Sequence, residues 1–325
     1  MSRVYVIILN YKKWDEVIEC LETLFRSDYD HFTAIVIDNG SQNNSLEKLV
    51  SWAGTDSEYP NPITSFAKRN IEKPIDFRLL IDHAWDEQTD ISSFPKMIFV
   101  NNERNKGFAG GINTVLKWLV PEDAYVWLLN PDMIIEESTL SELVKFAGSA
   151  PRRSIIGTVV KYHNDPKKVH FYAGGKVNFN SATVQMITNK DNISELDYIS
   201  GGSFFTHTNT FAELGLLPED YFLYWEETDC CYRAKKAGYQ LSLCETATCY
   251  DKVSTSIGKS FLSDYYYTRN GLFFLQKYKK GKVSVAIFFT IFRLMKRIFS
   301  AQFDRATGMY HGLISFLNRE KHAHK

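Results

Sequence analysis

Eight residues constrain this chain more than any other stretch: Tyr125–Asp132, reading Y-V-W-L-L-N-P-D. Val126–Leu129 is an unbroken apolar run, short enough for a strand buried on both faces. Asn130-Pro131 stops it, because proline donates no ladder hydrogen bond and favours a turn. Asp132 is thereby delivered just past the carboxyl end of a central strand. In open α/β sheets that edge is where ligands bind. Aspartate also favours turns for local reasons, so Asp132 either caps its turn or faces a ligand.

The segments before it supply the rest of such a sheet. Val4–Leu9 is a continuous β-rich run broken by Asn10-Tyr11. Trp14, Val17, Ile18, Leu21, Leu24 and Phe25 follow at helical spacing, with Asp15 and Glu16 near the positive helix start. Ala34–Ile37 is a second strand, ending in Asp38-Asn39-Gly40-Ser41. Strand, helix, strand predicts a right-handed βαβ unit and a parallel sheet. Asp38 then shares an edge with Asn10. It can accept from a ribose hydroxyl or a base N–H, or form an Asx-turn before Asn-Gly. Trp52–Pro95 is charged and broken by Pro60, Pro62, Pro74 and Pro95, and reads as an insertion with one short helix.

Met97–Val100 is a third strand. Asn105-Lys106-Gly107-Phe108-Ala109-Gly110-Gly111 leads from it into a helix carrying Ile112, Val115, Leu116 and Leu119. Small residues at a helix start can leave amides free for a phosphate, or can serve only close helix–sheet packing. Further on, Ser138 caps a helix through Leu140, Leu143 and Val144. Ile155–Lys161 is a strand, Phe171–Leu196 an irregular excursion, and Tyr198–Phe205 a strand-like run containing Gly201-Gly202.

A second cluster of acids lies at Tyr221–Arg233, where Tyr221, Phe222, Tyr224 and Trp225 lead into Glu226, Glu227 and Asp229, then a helix ending at Gly238. Apolar neighbours raise a carboxylate's pKa and suit it to general-base work. An acidic helix N-terminus stabilised by the dipole is the plainer alternative.

Bulk properties exclude some classes. The 325 residues are 44% hydrophobic and 14% aromatic, enough for a sizeable core in one large or two smaller domains. A formal net charge of +0 leaves no global basic field, so nucleic acid is not an expected partner. Five cysteines form no CxxC pair, and neither their odd number nor the short apolar core of Met1–Asn10 fits secretion, so a cytoplasmic location is expected.

Taken in order, Val6–Tyr11, I-D-N-G-S at Ile37–Ser41, N-K-G-F-A-G-G-I-N at Asn105–Asn113, L-L-N-P-D at Leu128–Asp132, D-Y-I-S-G-G at Asp197–Gly202 and F-L-Y-W-E-E-T-D at Phe222–Asp229 resemble the family 2 glycosyltransferases, specifically their rhamnosyltransferase-like branch. Tyr265–Asn270 is similar to that branch too, so the resemblance covers roughly Met1 to Tyr278. It implies a GT-A fold: a Rossmann-like α/β sandwich with a mostly parallel mixed central sheet. The nucleotide-binding half would span about residues 1–132 and the acceptor half about 133–281. It implies inverting transfer from a nucleotide-sugar donor, with deoxythymidine-diphosphate rhamnose the first expectation and a uridine-diphosphate hexose the second. The acceptor would be a glycan or lipid-linked saccharide of surface polysaccharide synthesis, and the cofactor Mg²⁺ or Mn²⁺.

Carried over by position, Asp38 would hold the base, while Asn10, Tyr11, Asn105, Gly107, Gly110, Gly111 and Asn130 would line the donor pocket. Asp132 would bind the metal, and Arg269 would neutralise the leaving diphosphate. Gly201, Gly202 and Trp225 would lie on the acceptor side, and Glu227 would be the general base. Two positions depart from the family. Glu226-Glu227 stands where Glu-Asp is common, so Glu226 or Asp229 can share the role. Asp251 stands where a His is common, before Ser254 and Ser256, and would be an oxygen ligand for a hard cation or a turn residue. Those departures also leave open a non-catalytic sugar-nucleotide-binding subunit. A sugar nucleotidyltransferase is disfavoured, since no Gly-rich loop with Arg and Lys follows the first strand.

The tail, 282–325, lies outside these motifs. Val283–Phe292 is apolar but too short to span a bilayer. Arg293, Lys296 and Arg297, interleaved with Leu294, Met295, Ile298 and Phe299, predict a basic amphipathic helix. Such a helix suits either peripheral contact with an anionic membrane or packing on the catalytic body or a second subunit in a homodimer.

Overall fold

The computed structural model describes residues 2–55, 66–81, 94–252 and 260–318. Strand β1 (Val4–Asn10) sends Val4, Val6 and Ile8 into one core and Tyr5 and Ile7 into the other. A strand with helices over both faces needs that double burial. Helix α1 (Trp14–Leu24) opens with Asp15 and Glu16 in its first turn. Strand β2 (Phe32–Asp38) runs parallel to β1 with Asp38 in register with Asn10. Helix α2 (Ser45–Gly54), strands β3 (Phe77–Ile81) and β4 (Met97–Asn101), helix α3 (Gly107–Leu119) and strand β5 (Tyr125–Leu129) complete a parallel half-sheet in the order β3-β4-β2-β1-β5.

The second half is mixed. It contains β6 (Met133–Ile135), α4 (Thr139–Ser149), β7 (Ser154–Tyr162), β8 (Asp165–Tyr172), β9 (Gly174–Asn178), β10 (Thr183–Met186), β11 (Tyr198–Ile199), β12 (Ser203–His207), α5 (Asn209–Leu214), α6 (Glu226–Lys236) and β13 (Gln240–Asp251). Strand β12 lies antiparallel between β5 and β7, β13 runs parallel to β7, and β6 closes the far edge. Strands β10, β9 and β11 form a separate small sheet.

The insertion expected at Trp52–Pro95 differs from the structure: Trp52 is buried inside α2, and Phe77–Ile81 is an edge strand. Arg78 interrupts that strand, and Leu79 is exposed, so it lacks the continuous apolar run that marked the others. The twelve-residue β13 had no sequence signal, since its register shifts between Cys244 and Thr248 and breaks the alternation.

Three helices follow: α7 (Phe261–Tyr278), α8 (Val283–Phe299) and α9 (Phe303–Leu317). A capping box at Ser260 and Ser263 starts α7. Helix α9 crosses α7 so closely that side chains at Gly308 and Gly312 would fall on the carbonyl oxygens of Phe261 and Tyr265. Gly308→Val should therefore cost on the order of 1–3 kcal/mol by overpacking. Thermal denaturation reads this out, and an unchanged melting curve would refute the close crossing.

Candidate functional site

The carboxyl edge of the parallel half-sheet is built from polar side chains that bond one another. Asn10 donates through Nδ2 to Asp38 Oδ1 (2.8 Å), and its own Oδ1 accepts from the Lys13 amide (3.0 Å). Ser41 Oγ also donates to Asp38 Oδ1. Both Asn10 and Asp38 are buried, whereas Tyr11 is 43% exposed. Asn39, which motif reasoning passed over, is the hub of this edge. Its Nδ2 donates to Asn105 Oδ1 and to the Gly107 carbonyl (3.0 Å each), while its Oδ1 accepts from Asn102 Nδ2 (3.1 Å). The signal was present in the sequence, as an asparagine directly after the Asp38 strand end.

The glycine-rich start of α3 is spent on packing. Gly107 N–H donates to Asn105 Oδ1 (2.8 Å) and Phe108 N–H to the Phe222 carbonyl (2.7 Å). The two first amides are thus occupied by protein acceptors, which favours the packing alternative for these glycines over a free phosphate cradle. Gly107 has φ +74°, and a Cβ there would fall on Phe222. Gly110 lies against Lys106 and Glu219, and Gly111 against Leu9 and Asn39.

Past β5, the Asn130 amide donates to the Gly202 carbonyl (3.0 Å) and the Met133 amide to the Asn130 carbonyl (3.1 Å). Asp132, nine-tenths buried, sits in that tight turn at the predicted edge. Asp251 ends β13 in register with Met133, and the Lys252 amide donates to the Asp132 carbonyl (3.4 Å), so the two carboxylates stand at adjacent strand ends. Asp251 Oδ2 lies 3.2 Å from His170 Nδ1. Two hard oxygen donors suit Mg²⁺ or Mn²⁺, which complete their shells with phosphate and water. No group of three ligating side chains occurs among the described residues, so a diphosphate would have to supply the balance. Ser254 and Ser256 lie outside the described residues.

Across the Gly201-Gly202 turn stands the acidic helix start. Gly201 faces Phe108, with Glu227 Cγ 3.9 Å from where its Cβ would be, and Gly202 lies against Met133 and Asn130. The glycine pair thus connects the Asp132 turn with Glu227. The chain enters α6 through a strained backbone: Phe222, Tyr224 and Trp225 have φ of +64°, +64° and +78°. Asn270 of α7 holds it there, its Nδ2 donating to the carbonyls of Tyr221 and Leu223 (2.7 Å each) and Tyr224 (3.3 Å).

The three acids differ sharply. Asp229 is fully buried and saturated. Tyr221 Oη (2.8 Å) and Lys277 Nζ (2.8 Å) donate to one oxygen, Arg233 Nε (3.0 Å) and Tyr278 Oη (3.0 Å) to the other. Four donors hold it as an acceptor, so it tethers α6 to α7 and is removed from the candidate bases. Glu227 is half-buried, and desolvation pushes its carboxyl up to about 7 although its own amide and that of Thr228 donate to it. Glu226 is buried, and desolvation followed by the charge of Glu227 holds it well above the usual carboxylate range.

Two further expectations change. Trp225 is buried, its indole N–H donating to the Tyr267 carbonyl (3.1 Å), and offers no face to an acceptor. Arg269 is buried against α9, donating to Ser315 Oγ (3.3 Å) and Asn270 Oδ1 (2.9 Å) and lying over the Phe273 ring. It orients the asparagine clamp, a role that its place in the motif did not disclose.

The sequence matches a family model described as "Glycosyl transferase family 2" over residues 5–70 and 82–207. Among curated proteins it is 23% identical over 150 residues to the "Low-salt glycan biosynthesis hexosyltransferase Agl10" of Haloferax volcanii, covering 45% of this chain and 49% of that protein. It is 25% identical over 136 residues to "Rhamnosyltransferase WbbL" of Escherichia coli (strain K12), covering 38% and 51%. The matched region therefore spans about half the length of each relative. In structure it is similar to the mannosyltransferase PcManGT of Pyrobaculum calidifontis, solved with GDP-Man and Mn²⁺ (TM-score 0.56, 13% identity, 98% of this chain and 88% of that one). It is also similar to GalNAc-T7, solved with UDP, GalNAc and Mn²⁺ (TM-score 0.53, 14% identity, 84% and 51%).

The two raised carboxyls make stability depend on pH. A carboxyl that titrates higher when folded contributes stability fully below its unfolded value, near 4.5, and loses it as pH rises through about 7. Glu227→Gln should flatten that decline, so that between about pH 5 and about pH 8 the variant loses a few degrees less in melting temperature than the parent. Parallel pH profiles would show that burial does not raise these groups.

Proposed function

The chain belongs to glycosyl transferase family 2 and has the GT-A fold, and on that premise we propose that it transfers a sugar, with inversion, from a nucleotide diphosphate to a hydroxyl of a glycan or lipid-linked saccharide, Glu227 serving as general base. The observation that carries this is the half-buried Glu227, raised to about 7, connected through Gly201-Gly202 to the carboxylates at the strand ends. A base of that pKa is ionised in an adequate fraction near neutral pH and still holds the proton it removes. Glu226 is also held well above the usual carboxylate range, by its burial and then by the charge of Glu227, so like charges on the two neighbours oppose each other.

The acceptor O–H gives its proton to Glu227 as its oxygen bonds to the anomeric carbon. The bond from that carbon to the diphosphate oxygen breaks on the opposite side, and one displacement inverts the centre. Asp132 and Asp251 would hold Mg²⁺ or Mn²⁺, His170 orienting the Asp251 carboxylate. When bound, the cation would offset the charge that develops on the leaving diphosphate. Asp38, fixed by Asn10 and Ser41, would receive the nucleoside. Rhamnose from its deoxythymidine diphosphate is the first donor to assay, ahead of uridine-diphosphate hexoses.

Glu227→Gln should lower kcat about 10²–10⁴-fold with donor affinity kept, and the parent's rate should rise with pH through about 7. Full turnover by Glu227→Gln would remove the base assignment, and donor binding without any turnover by the parent would favour a sugar-nucleotide-binding subunit. Asp132→Ala should abolish Mn²⁺-dependent donor binding in calorimetry. Asp251→Ala should raise the Mn²⁺ concentration needed for half-maximal binding, and unchanged metal dependence in both variants would overturn the ligand assignment.

A further inference from the structure

Helix α8 turns its two arginines inward and its apolar side outward. Arg297 lies 3.1 Å from Asp264 of α7, and Arg293 donates to Thr290 Oγ1 (3.1 Å). On the solvent side Phe288, Phe292 and Phe299 are 66%, 64% and 83% exposed, with Val285, Ile291 and Met295 also exposed along the helix. A strip of this kind, with only Lys296 charged beside it, is not an ordinary solvated face.

Beneath the strip lies a cavity of about 230 Å³ walled by Asp264, Tyr267, Arg293, Lys296 and Arg297. Arg305 of α9 also pairs with Asp264, at 2.6 and 3.3 Å, so that one carboxylate is answered by two guanidiniums. Arg293 and Lys296 are left as excess positive charge on the wall. The buried Nε of Arg293 has no hydrogen-bond partner among the described residues. Positive charge in such excess, with one buried guanidinium nitrogen among it, is stabilised by an anion that accepts several hydrogen bonds. From Tyr265 to Phe303 the sequence carries eight lysines and arginines and no aspartate or glutamate.

We propose that α8 lies in the interface of a membrane, its phenylalanine face among the acyl chains, and that the cavity behind it receives the phosphate of an anionic phospholipid headgroup. The proposal is independent of the assignment of donor and base. Charge complementarity selects this occupant over a second copy of the chain, whose equally basic face would repel the first. Lys279, Lys280 and Lys282 are exposed at the start of α8, where they meet headgroups. At 17 residues α8 is about 25 Å long, short of the roughly 30 Å hydrocarbon core, and no described helix is long and apolar enough to cross a membrane. It suits the plane of the interface.

The test is co-sedimentation of the full chain with phosphatidylcholine vesicles, with and without phosphatidylglycerol. Binding should be at least tenfold tighter when phosphatidylglycerol is present. Phe288→Ser with Phe292→Ser should weaken binding at least tenfold with no change in melting temperature, since both rings are exposed. Lys296→Glu should abolish the preference for phosphatidylglycerol. Calorimetry with inorganic phosphate should show no saturable binding. Equal binding to both vesicles, or by parent and double-serine variant, overturns the proposal. So does a saturable phosphate site, which would make a soluble anion the ligand. A dimer that the serine substitutions dissociate, without vesicle binding by the parent, would assign the strip to a second copy.

Discussion

One side-chain amide, that of Asn270, holds three carbonyls of the loop that leads into α6. That loop has three non-glycine residues at positive φ within four positions. Each costs roughly 1–3 kcal/mol and persists only where the surroundings fix it. Asn270 supplies one constraint and the buried Asp229, tied to Lys277 and Tyr278 of α7, supplies another. Between them they fix where α6 begins, and so where Glu226 and Glu227 point. Burial of those two carboxyls opposes folding at neutral pH, and α7 is the element that compensates for it.

The opposite wall is made by saturation instead of strain. At the ends of β1, β2 and β4, asparagine amides satisfy the strand-end backbone and one another, so Asp38 is held in one place before any ligand arrives. The glycines of α3 let Phe222 and Leu9 approach, which docks the parallel half-sheet against the loop that Asn270 holds. The strand-end edge at Asp38 and the start of α6 are therefore registered by direct contact: the Phe108 amide on the Phe222 carbonyl.

Much of this was legible before the structure. Strands buried on both faces declare themselves as apolar runs, so β1, β2, β4 and β5 and the edge at Asp132 followed directly from Val4–Leu9, Ala34–Ile37, Met97–Val100 and Val126–Leu129. Edge and bulged strands do not, because solvent on one side of β3 and the register shift in β13 erase the pattern. Within the site, residue type announced chemistry but not partners. Asp229, Trp225 and Arg269 have the composition of a binding site, yet each is consumed by buried neighbours several turns or one helix away. The inward turn of Arg293 and Arg297 was equally hidden, since a helical wheel shows which residues share a face but not which face the fold covers.

The glycine crossing of α7 and α9 has a consequence for how such a chain can be divided. Because α9 rests on the carbonyls of Phe261 and Tyr265, α7 is the cradle of the tail as well as the clamp of the loop that leads into α6. A chimera that exchanges tails at Lys282 would graft α9 onto a helix not shaped to receive it. One that exchanges from Phe261 would keep the crossing but bring a foreign asparagine clamp. The tail is thus inherited with its helix or not at all, and lineages that change one are expected to change both.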